Sequence, residues 1–262
     1  MIWKKIISNV RFVSGPSGNT LCKSALLSPI TSLRNLGSWE NPLLLGDATV
    51  ESRGIGKFHI RGYSDELFCV IPSHEASVEK TIRSSLMPGD VFVDAGANIG
   101  VYTVLGSRLV GPAGKVVSIE MMPDTAARLK EHVALNALEN VTLIERALSN
   151  VSGETVTATV PDGFSGQASI AVRKTGRSIQ VETDTLSNIL APYPKVRLMK
   201  LDVEGAEGVA LEGARDVLDR IEAIVLENWG DDFDVSPMLA DAGFCVQRLD
   251  GRNLLAVRQP SS

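Results

Sequence analysis

The chain is poor in features that would assign it quickly. Three cysteines in 262 residues, Cys22, Cys69 and Cys245, are odd in number and far apart. They make neither a disulfide framework nor a zinc-ligand spacing, and they suit a reducing, cytoplasmic setting. Lysine and arginine (26) do not outnumber aspartate and glutamate (31), so the net charge is -5. That balance gives no electrostatic footprint for nucleic acid or an anionic membrane. No apolar run is long enough to span a bilayer. The first thirteen residues carry Lys4 and Lys5, but Ser8, Asn9 and Arg11 interrupt the apolar stretch beyond them, which makes a poor signal peptide. What is present is 44% hydrophobic residues, enough for one large α/β domain with an appendage.

The most informative stretch is Pro88 to Leu109, PGDVFVDAGANIGVYTVLGSRL. Val91, Phe92 and Val93 read as a buried strand, Asp94 ends it, and Gly96 and Gly100 bracket Ala97, Asn98 and Ile99. Val101, Val104, Leu105 and Leu109 then share a helical face, and Gly111-Pro112 stops the helix. A glycine turn at the carboxyl end of a strand is where open α/β sheets bind cofactors. The pattern is D-A-G-A-N-I-G, with Asp94 where a dinucleotide fingerprint has its first glycine. A carboxylate aimed into the turn would repel a pyrophosphate and suit a cationic ligand, such as the amino group and sulfonium of S-adenosylmethionine.

Further βα units come next. Lys115 to Ile119 is a strand ending in Glu120, at close to the ~20 residues from the turn at which an acid binds ribose hydroxyls. Pro123 opens a helix with Ala126, Leu129, Val133 and Ala137 on one face. Asn140 to Ile144 is a third strand, and the loop after it, with Ala147 and Leu148, flanks the adenine in this layout. Glu154–Val160 and Ser178–Glu182 read as an inserted hairpin, and Asp184 as the cap of a short helix. Arg197 to Leu201, RLMKL, precedes Asp202-Val203-Glu204-Gly205-Ala206-Glu207, where three carboxylates crowd a strand end. Acids favour helix N-termini, but Lys200 inside an apolar strand needs a partner or a role in the site. A helix from Ala206 to Leu218 would place Val209, Leu211, Ala214 and Leu218 among acidic and basic residues. Glu222 to Leu226 ends in Glu227-Asn228, and two strands joined by Asp250-Gly251 close the chain as an antiparallel pair.

Residues 1–72 read as a partly β appendage, a candidate cover for the substrate site; residues 73–262 read as the catalytic domain. Within the appendage, Leu26–Leu36 suggests a helix, and Leu43–Leu45, Phe58–Ile60 and Phe68–Ile71 suggest strands. Ser73 would cap a helix to Leu86 whose first turn holds His74 and Glu75, with Val78, Ile82 and Leu86 on one face.

VFVDAGANIGVYTV, VVSIE, VRLMKLDVEGAE and IEAIVLE together resemble the FkbM family of S-adenosylmethionine-dependent methyltransferases, over roughly Glu75 to Val257. The resemblance implies a Rossmann-like, seven-stranded, mostly parallel sheet with an antiparallel final strand. It also implies transfer of a methyl group to oxygen, on a sugar, glycolipid or polyketide-like acceptor. One departure is Glu120-Met121-Met122-Pro123, where the family more often has an aromatic before the acid and E-P-x-P from it. On this reading Glu75, Asp94, Gly96, Ala97, Asn98, Gly100, Val101, Glu120, Met121, Ala147, Leu148 and Asp202 bind the cofactor. Asp202, Glu204, Glu227 and Lys200 are the catalytic candidates, with His59 and His74 as further ones. Oxygen ligands from Asp202, Glu227 and Asn228 would suit Mg²⁺; the metal-free version is preferred, because the resemblance does not demand a metal. The alternatives are a nicotinamide-dependent oxidoreductase, which Asp94 disfavours, and a non-catalytic cofactor-binding partner subunit, which the retained acids disfavour.

Overall fold

The computed structural model describes residues 13–14, 46–52, 54–71, 74–161, 168–171, 176–227 and 234–259. The helix expected around Leu26–Leu36, the strand at Leu43–Leu45, Ser73 and Asn228 lie outside them. A small antiparallel sheet comes first: β1 (Val13–Ser14), β2 (Ala48–Ser52) and β3 (Gly56–Ile60), in that order. After it come α1 (Glu66–Cys69), α2 (Ala76–Ser85), β4 (Val91–Ala95), α3 (Val101–Val110), β5 (Lys115–Ile119), α4 (Pro123–Leu135) and β6 (Val141–Ile144). Next are β7 (Ala147–Leu148), β8 (Thr155–Pro161), β9 (Gly176–Asp184), α5 (Leu186–Leu190), β10 (Leu198–Leu201) and α6 (Glu207–Glu212). β11 (Ala223–Glu227), α7 (Ser236–Asp241), β12 (Phe244–Arg248) and β13 (Asn253–Arg258) complete the chain.

The main sheet runs β12-β13-β11-β10-β4-β5-β6. β4, β5, β6, β10 and β11 pair parallel, and β13 enters antiparallel between β11 and β12. Strand order reverses on either side of β4, so the carboxyl ends of β4, β5 and β10 open onto one crevice, the switch point where such sheets bind ligands. The central strands are apolar on both faces because helices cover both: Phe92, Val116 and Leu198 pack on one side, and Val93, Val117 and Met199 on the other.

Several local expectations change. Phe68 and Cys69 lie in α1, not in a strand; the helix begins just after Asp65 and buries Leu67. A run of four apolar residues is too short for its period to separate helix from strand. α2 starts at Ala76 with Glu75 at the cap position, and Val78, Ile82 and Leu86 are buried as expected. In α4, Ala126 and Leu129 are buried; Ala137 lies beyond the helix end at φ 51°, and the fully buried residue of the last turn is His132. α6 is shorter than expected, and Val209 is exposed. Thr185, rather than Asp184, caps α5, its hydroxyl accepting from the Asn188 amide. The inserted hairpin forms as β8 and β9, with β7 added to β9 in a separate three-stranded sheet.

The β2–β3 hairpin packs on the main body: Val50, Phe58 and Ile60 share one apolar cluster with Val78, Ile82, Val104 and Leu105. Polar contacts register it. The Asn136 side chain bonds both the N–H and C=O of Lys57, at 2.9 and 2.7 Å, and His132 Nε2 accepts from the His59 amide at 3.0 Å.

Candidate active site

The crevice is built around the turn after β4. Gly96 takes φ 76°, and a Cβ there would sit 1.8 Å from the Asp202 carbonyl oxygen. Only glycine lets the turn lie against the end of β10. The amides of Gly96 and Ala97 both donate to the Ile119 carbonyl at 2.9 Å, tying the turn to β5. Asn98 adopts φ 50°, and its side-chain oxygen accepts from the Ile99 amide at 2.8 Å.

Glu120, at the end of β5, faces the same space. One carboxylate oxygen accepts from the Asn98 amide at 2.9 Å, the other from the Met122 amide at 2.8 Å. Burial nonetheless pushes its pKa up to about 7. A carboxylate oxygen can accept more than one hydrogen bond, so the group has the capacity to take the two that a ribose diol donates. The wall continues through Ala97, Val101, Met121, Ala147 and Leu148, small or apolar groups suited to an adenosyl moiety.

Asp94 and Gly100 are not on that wall. The expectation that the Asp94 carboxylate aims into the turn is corrected: it is 1% exposed and turned inward beneath the turn. Its Oδ2 accepts from the Thr103 hydroxyl of α3 at 2.7 Å, Thr103 in turn meets the Ser118 hydroxyl, and Oδ1 has no hydrogen-bond partner. Burial raises its pKa, against the pull of Lys200. Gly100 supplies the φ of 88° from which α3 departs.

The other end of the crevice is ionic. Lys200 stands beside Asp94 in the β10–β4 register and is 5% exposed. Its ammonium donates to Asp202 Oδ2 at 2.8 Å and lies 5.4 Å from the centre of the Tyr102 ring. Burial works against its charge, but Asp202, Glu75 and Asp94 outweigh it and raise its pKa. Lys200 is thus ion-paired with Asp202 and also lines the crevice. Tyr102 donates to Glu75 at 3.0 Å, placing that carboxylate on the wall. Oxygens of Asp202, Glu204 and Glu227 lie within 4.8 Å of one another. Burial and the Asp202 and Glu204 carboxylates push Glu227 up to about 8. At Asp202 burial acts in the same direction, but the Lys200 ammonium outweighs it and holds the group low. Glu204 and Gly205 both have left-handed backbones, turning the chain so that Glu207 caps it, accepting from Val203 and Gly205. Glu207 thus has a structural part.

His74 lines the crevice against Phe68, with burial lowering its pKa. His59 does not; it is bonded to Thr49 at the hairpin. Sequence reasoning missed Tyr102, Cys69 and Arg252, which also line the space, as does Arg146 of the loop after β6. Tyr102 had a signal, its place in the first turn after the glycine loop; Arg252 depends on the reversed strand. The three carboxylates could together coordinate a divalent ion, but the Lys200 ammonium already supplies positive charge to Asp202.

Comparisons with known proteins identify the family. The model of the methyltransferase FkbM domain matches residues 94–244. "Methyltransferase 1" of Beauveria bassiana is 24% identical over 229 residues, covering 78% of this chain and 88% of that protein. The hexuronic acid methyltransferase AglP of Haloferax volcanii is 27% identical over 172 residues, covering 64% and 69%. Among solved structures, a putative methyltransferase from Streptococcus mutans in complex with SAH aligns with TM-score 0.43 and 14% identity, over 70% of this chain and 96% of that one. The family match covers more than half of the sequence, including the glycine turn, Glu120 and the Lys200–Glu204 segment; the chain belongs to the FkbM methyltransferase family, and its cofactor is S-adenosylmethionine.

Proposed function

We propose that this methyltransferase acts on a hydroxyl oxygen of a small molecule or glycan, with Glu227 as the base and Asp202 and Lys200 setting its pKa. The observation that carries the reading is the Asp202–Glu227 pair, whose carboxyl oxygens lie within 4.8 Å of each other in the crevice that Glu120 and the glycine turn also line. Bound S-adenosylmethionine supplies a methyl carbon already activated by its sulfonium. The protein then has to align the acceptor oxygen, exclude water and take the alcohol's proton. A carboxylate near its ordinary pKa is a weak base toward an alcohol. Glu227 is a better one, because burial and its two acidic neighbours hold it near 8. Asp202, kept ionised by Lys200, maintains that bias. Pairs whose environments push two pKa values apart mark acid–base assignments. Glu204 and Glu75 offer further acceptors for neighbouring hydroxyls, as a polyol or sugar would present. The relative named as a hexuronic acid methyltransferase fits a sugar acceptor.

The test separates chemistry from cofactor affinity. SAH affinity is measured by calorimetry and methyl transfer by SAH release, against a panel of glycosides and polyols. Glu227→Gln should lower turnover by roughly 10²–10⁴-fold, the usual contribution of a general base, with SAH affinity retained. Undiminished turnover in Glu227→Gln and Asp202→Ala would remove the pair from the mechanism. Loss of activity on chelation, restored by Mg²⁺, would replace the base with a metal at the same three carboxylates.

A further inference from the structure

The reversed strand brings a cation to the acceptor end. β13 runs antiparallel to β11, with Asn253 opposite Glu227. The turn that feeds β13 therefore arrives at the carboxyl end of the sheet, where every parallel strand delivers its site residues. Arg252 sits in that turn and lines the crevice on the side of Glu227 and His74.

The turn is braced. Asp250 Oδ1 accepts from the amides of Arg252 and Asn253 at 2.8 and 2.9 Å, and the Asn253 side chain donates to both Asp250 oxygens. Asp250 is also hydrogen-bonded by Ser77 of α2, and these donors hold its pKa low against burial. The backbone of Arg252 is thus fixed from two elements, while its side chain is exposed. Its guanidinium is in no ion pair with a described residue.

The local charges say what it is there for. Asp202 is paired with Lys200, and no carboxylate of a described residue lies within ion-pair distance of the Arg252 guanidinium. A guanidinium is a rigid fork that matches a carboxylate or phosphate through two hydrogen bonds, and it stays charged at any working pH. Resting on the hydroxyl-acceptor reading above, we infer that Arg252 is a specificity residue that binds an anionic substituent of the acceptor, a carboxylate or phosphate placed next to the reacting hydroxyl. An acceptor held this way is anchored at one end by Arg252 and presents its hydroxyl to Glu227.

The experiment measures acceptor binding directly, in the SAH complex of the full chain, by saturation-transfer NMR titration. Three probes are compared: methyl α-glucopyranoside, its uronic-acid counterpart, and glucose 6-phosphate. Because binding is read without turnover, failure of hydroxyl methylation and failure of this inference separate. At least one anion should bind wild type ten-fold or more tightly than the neutral glycoside, and which one does so distinguishes carboxylate from phosphate. Arg252→Ala should erase that preference, and Arg252→Lys should restore part of it, as charge without the fork. The SAH affinity and urea midpoint of both variants should match wild type, which a merely structural role would not allow. A wild-type protein with no preference for either anion, or an Arg252→Ala variant that keeps it, would overturn the inference.

Discussion

Glu120 should make the cofactor-free protein less stable as the pH rises, the reverse of an ordinary carboxylate. Its pKa moves from 4.5 to about 7 on folding, mainly by burial. The folded state therefore holds the proton more tightly than the unfolded chain. Below pH 4.5 both states are protonated and there is no difference. Between 4.5 and about 7 the unfolded chain ionises first, so stability falls with rising pH and levels off above about 7. At about 1.4 kcal/mol per unit, the shift amounts to on the order of 3 kcal/mol. Glu120→Gln removes the ionisation and leaves other groups, Glu227 included, unchanged. The assay is urea unfolding of both proteins at pH 5, 6, 7 and 8, taking the difference between their free-energy profiles. Wild type should lose about 3 kcal/mol relative to the variant across that range. Saturating SAH should reverse the trend, because ribose hydroxyls favour the ionised carboxylate, and cofactor affinity should weaken as pH falls below about 7. Parallel pH profiles for the two proteins would refute the reasoning, since they would mean that Glu120 titrates normally in the folded state.

Gly96→Ala should cost on the order of 3–5 kcal/mol in urea unfolding, since its Cβ would overlap the Asp202 carbonyl and the backbone must hold φ 76°; wild-type stability would show that the turn and β10 separate freely. His132→Phe keeps a ring against Phe58 but leaves the Ile99 carbonyl and the His59 amide without their partner, for a loss of about 2–5 kcal/mol by the same assay. Burial holds His132 below its ordinary 6.5, so the unfolded chain binds the proton better, and wild type should lose stability as pH drops below 6.5 while His132→Phe lacks that component. Turnover should climb with pH to a plateau above about 8, as Glu227 gives up its proton, and a flat profile from pH 6 to 9 would remove Glu227 as the base.

The scaffold was legible where the physics is local. Val91–Ala95, Lys115–Ile119, Leu198–Leu201 and Ala223–Glu227 are buried on both faces, so each reads as an apolar run with a polar residue at the end that meets the crevice. The D-A-G-A-N-I-G turn was legible because glycine has few other reasons to stand there. Direction was harder to read than position. A strand alternates faces, but Asp94 stands at the edge of regular structure, and only the pairing with β10 and the packing of α3 decide which way its carboxylate turns. Tyr102 and Arg252 were missed for a related reason. Nothing in either residue type announces a site; Tyr102 could have been found from its place just after the glycine turn, whereas Arg252 depends on the reversed strand, far away in sequence.

Lys200 joins the two kinds of evidence. In the sequence it is the charged residue flanked by Met199 and Leu201 that a buried strand should not contain. In the fold, the β10–β4 register sets it beside Asp94, and its ammonium donates to Asp202, just past the end of its own strand. One buried cation is thus placed between an acid under the glycine turn and an acid at the crevice. Asp94, deprived of a partner for Oδ1, is costly to bury alone and gains from that neighbouring charge. Asp202, held ionised by the same charge, denies Glu227 an easy ionisation and leaves it with the raised pKa a base needs. The residue at the first position of the turn pattern and Glu227, the base proposed above, stand on strands with β10 between them and are therefore linked through a single lysine. The sequence motifs D-A-G and K-L-D-V-E belong to one electrostatic unit, which is why both are needed to identify the site.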